Sequence, residues 1–384
     1  MSESNRIERG SFDYASLDPS CFSIVMATGI VSIAIAHVAT AYVEAAHVGA
    51  VDVGVAGSWL SMVSLALLWI NVCLFALQIM LTGVRVLRSF PRVIADLFDH
   101  KRAFGFFSMV AASAVLGGQF LLIADIPGVA LALWCFAAAL WLIFTYLIFT
   151  CVTIMRNKPS LNDGLHGGWL LAVVATQAVS ILGVLCVEFV EFGDLILFVS
   201  LALWLSGGML YVLIISLIFY RYCFGAIDVE SMSPPYWINM GAMAISTLAG
   251  TTLIEAAHSS PLLTQILPFM KGMALLCWST ATWWIPLLVM LGLWRHLSQR
   301  KKLEYDLRYW SIVFPLGMYS VSTRGVSHAM NVHLLDQLSI LFAYIALAAW
   351  LLTSVGLGRH LIRGFYRSGE PSAPNSRASG GDSC

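Results

Sequence analysis

In this chain of 384 residues, the side chains best suited to chemistry in an apolar setting gather in one short stretch, FPLGMYSVST at 314–323, closed by Arg324. Only 15 uncharged residues separate Arg308 from Arg324. As a helix they would rise about 22 Å, short of the roughly 30 Å hydrocarbon core of a bilayer. One of the two arginines must therefore reach into the apolar layer or snorkel out of it. A guanidinium in hydrocarbon is costly unless it faces water or a partner, so such a residue marks a functional position by default. Arg308 has other basic residues around it and snorkels easily. Arg324 stands beside Ser320, Ser322 and Thr323, where it can attract an anion to the mouth of a polar path. An interfacial ion pair with Asp336 or Glu255 is the alternative. Lys271 is the weaker anion-attracting candidate, because the 23 residues from Gly272 to Trp294 already suffice to span a bilayer.

The rest of the chemistry is defined by what the apolar runs contain. No Asp or Glu lies within any of them, so a transported cation lacks a counter-charge and a coupling ion lacks a carboxylate. What remains is hydroxyls (Thr28, Ser322, Thr323), amides (Gln119, Gln177, Asn239), and backbone bared or kinked at Gly29, Gly117, Gly118, Gly183, Gly250, Pro315 and Gly317. Non-helical backbone at membrane depth is tolerated where protein or a wet cavity satisfies it. Such a lining suits an anion held weakly enough to leave. His37, near the end of a run, is the nearest approach to an internal titrating group. There is no HExxH, phosphate-binding glycine loop, GxSxG or CxxC, so neither an enzyme nor a cofactor, metal or nucleic-acid partner is expected.

The elements that must position these residues follow from hydropathy and charge. The chain is 59% hydrophobic and 11% charged, against roughly 25% charged in a soluble domain. Ten uncharged runs lie between Pro19 and Gly358, nine of them long enough to cross a bilayer as helices; Tyr309–Thr323 is the short one. Nineteen of the twenty-one Lys and Arg residues occupy the N-terminus, the C-terminus and every second gap between runs; only Lys271 and Arg324 fall on the other side. Basic side chains near a span resist translocation. That predicts ten transmembrane helices in a plasma or inner membrane, with both termini cytoplasmic. Residues 1–18 form a cytoplasmic segment, 19–358 the membrane domain, and 359–384 a cytoplasmic, mostly disordered tail. Odd-numbered runs are richer in Gly, Ala, Ser and Thr, and even-numbered ones in aromatics. Small residues allow close helix approach, which predicts five hairpins with odd helices inside and even helices outside.

Three segments carry a resemblance as well. FSIVMATGIVSIA at 22–34, VATQAVSILG at 174–183 and FPLGMYSVST at 314–323 resemble the tellurite-resistance/dicarboxylate transporter family, which includes the plant slow-type anion channels, the bacterial tellurite-resistance protein, and fungal malate and sulfite transporters. The resemblance implies an all-α fold of five hairpins around a central pore and assembly as a homotrimer with three separate pores. It also implies a pore-plugging phenylalanine on the ninth helix, matched here by Phe314, with Trp310 and Met318 one turn to either side. Transport of a small anion is the function implied, either through a channel-like pore or by proton-linked carriage of C4-dicarboxylates, with tellurite and sulfite among the oxyanions that fit.

Overall fold

The computed structural model describes residues 17–47, 51–225, 234–295 and 305–368. It is all-α among those residues. The long helices are α1 (Ser23–His47), α2 (Val51–Arg88), α3 (Phe107–Leu122), α4 (Pro127–Ile154) and α5 (Leu171–Leu185). They continue with α6 (Gly193–Phe224), α7 (Ile238–Glu255), α8 (Leu267–Leu293), α9 (Trp310–Met330) and α10 (Leu334–Ser368). Taken together with the short 3-10 turns that adjoin the odd ones, all but α9 are both long and apolar enough to cross a membrane.

The ninth element corrects the sequence reading. Arg324 does not close a short span: α9 runs on for 21 residues to Met330, about 31 Å at 1.5 Å per residue. It ends where Asn331 takes the left-handed conformation at φ 56°, a common helix stop. Residues Val313 to Thr323 are all buried in protein, so α9 presents little surface to lipid and can be polar. Helix α10 continues past residue 358 to Ser368. Of the expected cytoplasmic N-terminal segment, 1–18, residues 1–16 lie outside the described residues, as do residues 369–384 of the expected disordered tail, 359–384.

Each odd helix packs in a hairpin with the even helix that follows it, and the odd helices also touch one another in sequence, α1 to α3 to α5 to α7 to α9 and back to α1. The inner and outer rings differ as the small-residue bias predicts. Between 83% and 89% of the apolar window is buried in α1, α3, α5 and α7, against 11% to 39% in the even helices.

Two devices hold the rings together. Within hairpins, hydroxyls bond reciprocally to facing backbone: Ser32 Oγ donates to the Ser64 carbonyl and Ser64 Oγ to that of Ser32, at 2.8 and 2.9 Å. Ser320 and Ser339 repeat the exchange between α9 and α10. Each even helix also bonds to the odd helix of the next hairpin. Trp141 Nε1 donates to Thr176 at 2.8 Å, Trp204 to the Ser246 carbonyl at 2.8 Å, and Trp278 to Thr323 at 3.0 Å. Trp350 closes the circle on Thr28 at 3.0 Å, while α2 uses Asn71, whose amide donates to Gln119 at 2.6 Å. An indole N–H in hydrocarbon needs an acceptor. Part of the aromatic bias of the even helices therefore serves docking rather than lipid contact.

All five odd helices open with a 3-10 turn: Pro19–Phe22, Ala103–Phe106, Gly167–Leu170, Pro234–Trp237 and Leu307–Tyr309. These turns crowd together at one end of the ring. A Cβ on Gly167 would overlap the Pro235 carbonyl, with its carbon only 2.8 Å away. Gly167→Ala is expected to cost about 1–3 kcal/mol through overpacking, read as a lowered midpoint in thermal unfolding of the purified protein. An unchanged midpoint would show that the two turns separate freely.

At the same end Asp96, on the short helix Phe90–Phe98, pairs with Arg85 at the end of α2 and with Arg102 Nε at 2.7 Å. Arg102 also donates to the Leu17 carbonyl at 3.0 Å. One carboxylate thus ties α2 to the openings of α1 and α3.

Candidate functional site

Two cavities lie within the ring, one toward each end, and are termed its vestibules. The first, about 520 Å³, lies at the N-terminal ends of the odd helices and receives Ser20, Gly105, Gly168, Ile238 and Ser311, one from each. Helix N-termini carry partial positive charge and unsatisfied N–H groups. Side chains add to that field: Lys101, Arg102, Arg221 and Arg308 line the vestibule against Asp18 and Asp163. The Asp18 and Asp306 side chains cap the openings of α1 and α9, accepting from the backbone N–H groups of Ser20 and Arg308 at 2.8 and 2.9 Å.

Arg221 is the buried cation of this vestibule. It comes from the C-terminal end of α6, is 8% exposed, and donates to the Leu165 carbonyl and, at 2.8 Å, to the Tyr236 hydroxyl. Both partners are neutral, which leaves its charge directed at the cavity. His166 is held differently. Its Nδ1 accepts from the Gly168 N–H at 3.0 Å and its Nε2 lies 3.1 Å from the Lys101 carbonyl, so Nε2 carries the proton. Burial keeps this imidazole below its ordinary pKa, and it serves as a neutral cap.

The second vestibule, about 320 Å³, lies toward the C-terminal ends of the same five helices. Its walls are apolar on α3 and α5, including Val115, Leu122, Ile181 and Leu182, and become polar on the others through His37, Thr251, Glu255, Arg324 and His328. Along α9, Ser311 lines the first vestibule and Met318 the second. Phe314 lies between them, one turn from each, and is 2% exposed. Phe22, on the turn that opens α1, and Met26 and Phe107, on α1 and α3, are further large buried side chains. Trp310 is occupied in packing, donating to the Tyr305 hydroxyl at 3.2 Å.

Of the residues singled out from sequence, Arg324 lines the second vestibule, its Nη1 donating to the His37 carbonyl at 3.3 Å. Gly118 lines it as well. Lys271, half-buried on α8, lines neither vestibule. Most of the others lie at helix contacts. Thr28 and Thr323 accept indole protons, Gln119 accepts from Asn71, and Gln177 donates to the Trp204 carbonyl at 3.1 Å. Asn239 donates to the Tyr222 hydroxyl at 3.0 Å, and Ser322 Oγ to the Tyr319 carbonyl at 3.2 Å. A Cβ at Gly29 would meet Val115 at 2.5 Å, at Gly117 Leu182 at 2.5 Å, at Gly183 Ser200 at 2.8 Å, and at Gly250 Trp204 at 2.7 Å. Gly317 faces Ile30 and Pro315 faces Gly241 in the same way. Small and polar residues in a membrane bundle serve helix contact as readily as a path, and sequence does not separate the two uses. It also left Arg102, Arg221 and Arg308 as topology markers and gave no sign of Glu255 and His328 as lumen residues.

Among the described residues, an inner and an outer ring of five long helices each, with a cavity holding charged side chains at either end of the inner ring, define a polytopic membrane protein. The sequence profile of the voltage-dependent anion channel family matches residues 16–357, and the chain belongs to that family. Two uncharacterized transporters of Methanocaldococcus jannaschii are each 24% identical to it over 88% of this chain, covering 93% and 91% of their own lengths. An uncharacterized membrane protein of Mycobacterium tuberculosis strain H37Rv is 34% identical over 163 residues, 42% of this chain and 82% of its own. Family and transporter-named relatives together support anion transport.

Proposed function

We propose that this protein conducts small anions through the lumen of its odd helices, with Phe314 as the gate. The observation that carries the reading is the register of two cavities on the same five helices, with Phe314 one turn from the lining of each. Five helix N-termini and the Arg221 guanidinium draw an anion into the first vestibule. There it exchanges part of its hydration for backbone N–H groups and guanidinium protons. It passes when the Phe314 ring swings aside, and Arg324 receives it beyond. The Lys and Arg distribution supports a cytoplasmic first vestibule with both termini inside the cell membrane. Family resemblance supports a homotrimer with one lumen per protomer.

Proton-linked carriage of C4-dicarboxylates such as malate is the second reading. His37 and His328 in the second vestibule favour it, because they supply titrating groups where the apolar runs supply no carboxylate. Tellurite and sulfite, as oxyanions, fit the same lumen.

The test is flux in proteoliposomes carrying the full chain, with chloride, nitrate, sulfite and malate presented singly and a potassium gradient with valinomycin setting the voltage. Anion-selective flux is expected, and Arg324→Gln should lower it about three- to tenfold by removing one positive charge from the path. Cation-selective flux would overturn the reading, and an unaltered rate in the folded variant would return Arg324 to a structural role.

A further inference from the structure

Beside the second vestibule lies another hollow, of about 340 Å³, and the wall between them is shared by His37, Arg324 and His328. Arg324 and His328 stand one turn apart on α9, and the bond from Arg324 to the His37 carbonyl holds α1 against them at 3.3 Å. Two imidazoles and one guanidinium therefore stand at the junction of the two hollows. His37 Nδ1 is buried and has no hydrogen-bond partner. That sets it apart from His166, whose two ring nitrogens are both engaged.

The charges facing this junction can be followed element by element. On α1, Glu44 lines the neighbouring hollow and is exposed to solvent. On α7, Glu255 lines the second vestibule. The turn into α10 brings His333 and Asp336, which lie 3.6 Å from each other and offset one another when His333 is protonated. The lining residues of α3 and α5 include no titratable group. Glu255 is the carboxylate that shares the second vestibule with Arg324. Each imidazolium adds a full positive charge, and two imidazoliums beside a guanidinium repel one another unless an anion lies between them.

We propose that His37, Arg324 and His328 form an anion subsite whose occupancy is linked to protonation of the two imidazoles, so that anions and protons are taken up together at this mouth. The linkage is reciprocal by thermodynamic necessity: whatever factor protonation adds to anion affinity, the anion adds to proton affinity. Each imidazole turns from neutral to cationic when it gains a proton, so anion occupancy should rise as the pH falls. The step moves a proton from water to an imidazole nitrogen and an anion from water to the cationic cluster, with no covalent change. The ligand class is a small inorganic or carboxylate anion. The assignment rests on the lumen being an anion path, and its test contains a readout independent of flux.

In proteoliposomes at equal pH on both sides and a clamped voltage, nitrate, which stays ionised throughout, is the probe. Its flux through the full-length protein should be about three- to tenfold greater at pH 5.5 than at pH 7.5. In the His37→Gln/His328→Gln variant that ratio should fall to near one. A ratio near one in the parent protein, or an unaltered ratio in the double variant, would overturn the proposal; the latter result would move the titrating group to His166 or His333. The second measurement follows the imidazole titrations by NMR of the histidine-labelled protein in detergent, with and without nitrate. Nitrate should raise the midpoints of His37 and His328 and leave His166 in place. If nitrate shifts them while no flux is seen at any pH, the conduction reading fails and the subsite stands. If nitrate leaves both midpoints unchanged, the subsite fails whatever the flux.

Discussion

Phe314→Ala is expected to raise anion flux about tenfold or more at unchanged driving force. The ring is buried at 2% exposure, between the last lining residue of one vestibule and the first of the other. An apolar constriction blocks ions by refusing water, and lowering a barrier by about 1.4 kcal/mol already raises a rate tenfold. Truncation to a methyl group vacates a ring-sized volume at that level. The measurement is voltage-clamped flux in proteoliposomes, normalised to folded protein by size-exclusion chromatography. Flux unchanged in a folded Phe314→Ala protein would show that this ring is not the plug.

Asp96→Asn is expected to produce the largest loss of stability. Arg85 is 3% exposed and paired with Asp96, whose carboxylate also holds Arg102. Neutralising Asp96 leaves a guanidinium buried without its counter-charge, which costs about 3–5 kcal/mol in comparable sites. Arg102 contributes less to that loss, since its side chain is 30% exposed and keeps water when its partner is gone. Thermal unfolding of the purified protein gives the readout. The double variant Arg85→Met/Asp96→Leu should recover much of the lost stability, because it removes the stranded charge along with the pair. If Asp96→Asn unfolds at the parent temperature, the clasp adds nothing to the hold on α1 and α3. If the double variant is as unstable as the single, the loss arises from packing rather than from the buried charge.

Sequence legibility differed sharply between fold and site. The hairpins and the two rings follow from periodic apolar runs, the alternation of basic gaps, and the small-residue bias of odd runs. These are local or additive properties that survive being read one residue at a time. The end of the ninth helix is not legible in the sequence, because the cost of charge in lipid does not apply to a helix enclosed by protein. Once α1 and α7 pack against α9, an arginine can occupy its interior, and charge no longer marks its end. The candidate lining residues show the opposite difficulty. Gln119, Gln177, Thr28 and Thr323 are polar residues at membrane depth, the usual signature of a path, yet each satisfies a neighbouring helix. Composition records that a polar atom exists; only the fold says which way it faces.

The same division holds for the whole protein. Its sequence by itself determined an all-α membrane domain, the order and pairing of its helices, and the family to which three short segments pointed, because hydropathy, charge near a span and motif are carried along the chain. Only the tertiary structure decided that Arg221, recorded as a topology marker at the end of α6, turns into the first vestibule with neutral partners. Only the tertiary structure, too, brought His37 to Arg324 and His328 across nearly three hundred residues. Long-range electrostatics depend on distance and on the dielectric between charges, and both are set by how the helices close into a ring.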